Sequence, residues 1–190
     1  MRITRRHLMG ATLAAAAMPT GAARSETILT EDGLHRQSWF LESFLDIAPD
    51  LEDATAAGRR FAVMWELRGC PACRDTHLIN FARKDVSDYI RDRFDILQLN
   101  LIGDLPVTDF DGSGLSERRM ATRYGVRFTP TIQFFPDTAE GLGPRRPRDR
   151  EVLRLVGYQD PDAFRRSFEY VAERVYETGE SLADWLARTA

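Results

Sequence analysis

Cys70 and Cys73 are the two cysteines of this 190-residue chain, and only Pro71 and Ala72 stand between them. A disulfide across so short a loop removes little chain entropy, so the pair would make a poor structural staple. A thiolate is the nucleophile in disulfide exchange. The pair therefore points to redox chemistry, with Cys70 attacking a target disulfide and Cys73 attacking the resulting mixed disulfide. Two other readings of the pair stay open, a structural disulfide and a metal site. His77, four residues after Cys73, would supply a third metal ligand, but zinc needs four and no fourth is near. Haem attachment would need a histidine directly after the second cysteine, and Arg74 stands there.

The elements around the pair decide how it would act. Phe61 to Leu67 is a short, mostly apolar run, as expected of a central strand buried on both faces. It passes through Arg68 and Gly69 into Cys70, and a helical pattern continues to about Lys84. At a helix start the leading amides lack internal partners, and the helix dipole adds partial positive charge. A Cys70 thiolate there gains from both. Pro71 suits the first helical turn, where its missing N–H is not needed.

Further strands are expected at 94–100, 131–135 and 152–156, with helices at 116–124, 161–176 and 181–188. Ser38 would open an earlier helix through Trp39, Phe44 and Ala48, which Pro49 kinks before it resumes to about Ala57. Residues 101–115 read as a long loop, and 138–150 as the tip of a hairpin with a basic stretch, Pro144-Arg145-Arg146-Pro147-Arg148. That stretch reads as a solvated loop, or more sharply as a docking patch for an acidic partner. The order implies an α/β fold: a mixed central sheet with helices on both faces.

The first residues read as an export signal. A basic head holding Arg5-Arg6 precedes the apolar run Leu8–Met18, and small residues follow, so cleavage is expected near Ala22 or Ala23. The paired arginines and the weakly apolar run resemble a twin-arginine signal. The expected division is a signal peptide at 1–23, a linker at 24–37 and one domain at 38–190. The compartment is the periplasm, where two thiols are either oxidised or actively kept reduced. Hydrophobic residues are 43% of the chain and aromatics 10%, enough for one sizeable core. No apolar stretch of about 18 residues predicts a stable membrane anchor. The formal charge is −3, and Lys84 is the single lysine. No basic stripe interleaved with aromatics points to nucleic acid.

The chain resembles the thioredoxin superfamily over roughly residues 39–176. The strand–Cys70-Pro71-Ala72-Cys73–helix junction, the element order and Phe128-Thr129-Pro130-Thr131 before a strand carry the likeness. The resemblance implies a cis Pro130 facing the Cys70–Cys73 disulfide. It also implies that Thr129 offers backbone groups to an extended peptide. More narrowly, Gly69-Cys70-Pro71-Ala72-Cys73, the stretch Val107-Thr108-Asp109-Phe110-Asp111-Gly112 and Tyr124-Gly125-Val126-Arg127-Phe128-Thr129-Pro130-Thr131 are similar to periplasmic thioredoxins of bacterial sulfur-oxidation systems (SoxW-type). That likeness implies a reductase of periplasmic proteins supplied by a membrane thiol-electron donor. No cofactor is expected, and with no obvious dimerisation domain in the sequence a monomer is expected. The competing functions are a disulfide oxidase or isomerase, and a metal-binding module. One departure from the superfamily is that its buried acid, six residues before the first cysteine, is replaced by Met64. Glu66 lies two residues later on the same strand face. It reads either as the proton acceptor of Cys73 or as a solvated strand end. Trp65 reads as core.

Overall fold

The computed structural model describes residues 26–189, so the export signal expected at residues 1–23 lies outside the described residues. The central element is β3 (Arg60–Glu66). It pairs in parallel with β4 (Phe94–Asn100) on one side and antiparallel with β7 (Thr131–Phe134) on the other, and β7 pairs with β8 (Leu153–Val156). The mixed sheet has the order β4-β3-β7-β8.

Alternation along β3 builds two cores. Ala62 and Met64 join Ile96, Ile132 and Phe134 beneath α3 (Lys84–Arg93) and α5 (Pro161–Ala172), which contribute Ile90, Phe164 and Phe168. Phe61, Val63 and Trp65 face the opposite way, onto Leu51 of α1 (Ile47–Ala56) and Met120 of α4 (Glu117–Arg123). Each large apolar side chain gains about 1.5–3 kcal/mol from burial. A one-residue slip of β3 would exchange the two sets, so the register is strongly specified. The expected α/β architecture with helices on both faces is present, and Trp65 is core. A last short helix, α6 (Leu182–Arg188), rests Trp185 against Tyr170 of α5.

Four expectations need correction. The first concerns the linker. Residues 26–37 are not a loose arm, because β1 (Thr27–Leu29) and β2 (His35–Gln37) form an antiparallel hairpin that packs onto the sheet and buries Leu34 and Gln37.

The second concerns the helix expected from Ser38. Residues 38–46 are not helical; Leu41 N–H donates to the Ile96 carbonyl and Thr108 N–H to that of Leu45, so the backbone follows neighbouring strands. Phe44 consequently points to solvent. The helix α1 starts at Ile47, which puts Pro49 in its first turn, where no hydrogen bond is lost.

Third, the loop 101–115 contains a strand pair, β5 (Pro106–Thr108) with β6 (Gly114–Ser116). Fourth, the helix after the cysteines is not uniform. The short α2 (Pro71–Asp75) continues into a π-helical turn, Thr76–Asn80, before the chain restarts in α3.

Candidate active site

The site forms where β3 hands over to α2. Gly69 takes a positive φ of 76°, a conformation that suits a residue without a Cβ, and this turn delivers Cys70 as the N-cap of α2. Pro71 occupies the first helical position, as the sequence implied. Cys70 and Cys73 are joined as a disulfide with Cα atoms 5.3 Å apart. Cys73 N–H points at Cys70 Sγ from 3.1 Å. That amide would donate to a thiolate at Cys70 and favour the anion. Cys70 is partly exposed, whereas Cys73 is 3% exposed. Of the two sulfurs, that of Cys70 is therefore the more accessible to a large partner.

The second wall is the loop before β7. Thr129–Pro130 is a cis peptide bond, and the Thr129 carbonyl oxygen lies 3.4 Å from Cys70 Sγ. Pro130 is buried, and its carbonyl accepts from Gly157 N–H at 2.8 Å, which ties this loop to the end of β8.

Beneath the motif, Glu66 is 1% exposed, so it is not a solvated strand end. Its Oε1 lies 2.9 Å from His77 Nε2, and its Oε2 accepts from Gln98 Nε2. On the far side of the imidazole, Gln37 Nε2 is 3.0 Å from His77 Nδ1. An amide nitrogen donates, so Nδ1 accepts and Nε2 carries the hydrogen given to Glu66. His77 is fully buried, and both of its ring nitrogens are engaged, so it is neither a surface residue nor a free metal ligand. Among the described residues, no cluster of three or more metal-ligating side chains is found.

A cavity of about 130 Å³ opens beside the disulfide, lined by His35, Gly69, Cys70, Pro71 and Arg74. A larger hollow of about 420 Å³ lies near Arg60, at the opposite end of β3, and contains neither cysteine. We place the chemistry at the smaller one because the sulfur is there.

These features form the redox centre of a known fold, and residues 47–172 match the family model described as thioredoxin-like domain. The chain belongs to the thioredoxin-like domain family. No curated protein matches it. Among solved structures, a thioredoxin-fold protein from Helicobacter pylori superposes with a TM-score of 0.57 at 19% identity, over 79% of this chain and 87% of that one. A thioredoxin from Thermus thermophilus gives 0.50 at 24% identity, over 70% and 87%. These likenesses concern the fold. Within the family frame, the structure brings Cys70, Cys73, Pro71, Thr129, Pro130 and Glu66 to one end of β3.

Sequence reasoning missed His35, Gln37 and Gln98, and it offered His77 a place in the site only as a third metal ligand. The four-residue step from Cys73 to His77 was a usable signal, because helical spacing puts both on one face. Nothing in the linear chain linked residues 35 and 37 to the cysteines.

Proposed function

We propose that the protein is an exported thiol–disulfide oxidoreductase of the periplasm that reduces disulfides in partner proteins, after the manner of SoxW-type thioredoxins. One observation carries the chemistry: Cys70 is a partly exposed helix N-cap whose Sγ lies between the Cys73 amide and the Thr129 carbonyl, with Cys73 buried behind it. In the reduced protein the Cys70 thiolate attacks one sulfur of the target disulfide. The target S–S bond breaks, a mixed disulfide forms, and the first target sulfur leaves as a thiolate that takes a proton. The thiol of Cys73 gives up its proton and attacks Cys70 Sγ, which releases the second target sulfur and forms the Cys70–Cys73 disulfide. Two electrons pass to the target, and a membrane thiol donor restores the dithiol.

Glu66 is the proton acceptor for Cys73 in this scheme. It is a buried carboxylate on the strand that leads into the motif, and it is held by donors from His77 and Gln98. Thr129 offers its backbone to an extended target segment beside Cys70. The reductive direction is supported by the likeness to the sulfur-oxidation thioredoxins, and the compartment by the basic and apolar pattern of residues 1–23.

The test is insulin reduction together with the reduction potential against glutathione. Native protein is expected to reduce insulin and to show a potential near that of thioredoxin, about −270 mV, whereas a potential near about −120 mV would make it an oxidase. Cys70→Ser should abolish the activity. Cys73→Ser should trap mixed disulfides with periplasmic partners. Arg5→Lys with Arg6→Lys should keep the precursor out of the periplasmic fraction.

A further inference from the structure

The β1–β2 hairpin precedes the residues matched by the family model, and its strands form no part of the four-stranded sheet. It is nevertheless fastened to the redox centre. Gln98 Nε2, which also binds Glu66, donates to the His35 carbonyl at 2.6 Å. Asn100 Nδ2 donates to Asp32 at 3.0 Å, and Gln37 meets His77. A Cβ on Gly33 would come within 2.7 Å of the Arg68 side chain, so the hairpin turn lies directly on the loop that leads to Cys70. These ties set the His35 side chain at the cavity it shares with Cys70.

We propose that His35 is a residue of the redox reaction itself: its imidazolium faces the Cys70 thiolate across this cavity and stabilises it, so that attack by Cys70 depends on the protonation of His35. The proposal rests on Cys70 being the nucleophile. A cation within about 4–6 Å favours the charged form of a thiol. Two groups coupled in this way titrate as a pair in two steps.

The surrounding charges leave this role to His35. From α2, Arg74 borders the same cavity but is bound to Asp75. Arg68 lies against the hairpin turn. From the π-helical turn, His77 stacks on His35 with ring centroids 6.2 Å apart, and its nitrogens are taken by Gln37 and by Glu66 of β3. The contacts from β4 are uncharged, through Gln98 and Asn100. Within the hairpin, Asp32 faces Asn100 and Thr30, and Arg36 turns to the Leu41 carbonyl and Glu42. The His35 ring nitrogens have no hydrogen-bond partner among the described residues, so the ring can change protonation without breaking a bond.

The experiment is iodoacetamide labelling of Cys70 in the reduced Cys73→Ser background, as a function of pH. With His35 present, the rate should rise in two steps, with a shoulder between about pH 5 and 8, where histidine changes charge. His35→Gln should give a single step, with labelling at the shoulder slowed about tenfold, which corresponds to one unit in the pKa of a thiol. His35→Lys keeps a cation and should retain fast labelling without the lower step. Profiles of His35→Gln and His35→Lys that superimpose on that of the parent would overturn the proposal while leaving Cys70 as nucleophile. A Cys70 inert to the reagent at every pH would overturn both readings. Thermal melting of each variant guards against a displaced hairpin, and either substitution suffices if the other fails to fold.

Discussion

Two buried polar networks among the described residues handle an acid in opposite ways. Asp109, fully buried, receives Arg150 Nη1 at 2.8 Å, the Tyr124 hydroxyl at 2.7 Å and Arg123 Nη1 at 3.1 Å. Arg150, equally buried, also donates to the carbonyls of Gly143 and Arg145. Burial, and then Asp109, push the Tyr124 hydroxyl well above its usual range, so it remains a donor. Burial alone would lower the Arg150 guanidinium, but Tyr124 and Asp109 outweigh it and hold it above its ordinary value. This network joins the β5–β6 hairpin, α4 and the β7–β8 connection with fixed charges. Glu66, by contrast, is met by an imidazole and a carboxamide. The second acid meets no permanent cation, and it is the one on the strand leading to the cysteines.

Substitutions can break this contrast. The largest effect is expected from Arg150→Met, which leaves Asp109 without its fully buried cation. Breaking a buried pair from one side costs about 3–5 kcal/mol. Urea unfolding should show that loss, while Cys70 labelling in the folded fraction stays at the native rate. Glu66→Gln comes next. It keeps the shape and removes the proton acceptor, so resolution of a trapped mixed disulfide should slow about 100-fold, in the range of general-base effects. An unchanged rate would make Glu66 a packing residue only. Third, His77→Leu removes one of the two donors to Glu66. A buried acceptor left short costs about 1–3 kcal/mol, again read by urea.

The smallest effect belongs to Asp111, which the Arg123 hydrogen bond, followed by Ser113, holds well below the usual carboxylate range. A carboxyl depressed in this way stabilises the fold fully above the unfolded pKa, and the contribution fades as pH falls through the folded one. Asp111→Asn should therefore lower stability at neutral pH by at most about 1 kcal/mol. The difference from native should vanish in strong acid.

The contrast also marks what the sequence could say. The strand before the cysteines, β4 and Pro130 were legible because each has a local cause: an apolar run or a family motif. The hairpin was not. Its strands are three residues long, and the turn between them is polar, so no alternation develops. The burial of Glu66 was also hidden, since its donors come from positions 77 and 98, brought near by the sheet and the π-helical turn. The helix expected from Ser38 failed because apolar residues at helical spacing say nothing about where backbone amides find partners. Here the Leu41 amide finds one on β4, and the Leu45 carbonyl accepts from β5.

The position of the β1–β2 hairpin has a practical meaning. A chain trimmed to residues 47–172 would keep both sulfurs and the whole four-stranded sheet, yet would lose the imidazole beside one sulfur and the amide that orients a second imidazole below. Such a fragment could fold and still report the wrong acid–base behaviour. The working machine extends upstream of the thioredoxin-like segment.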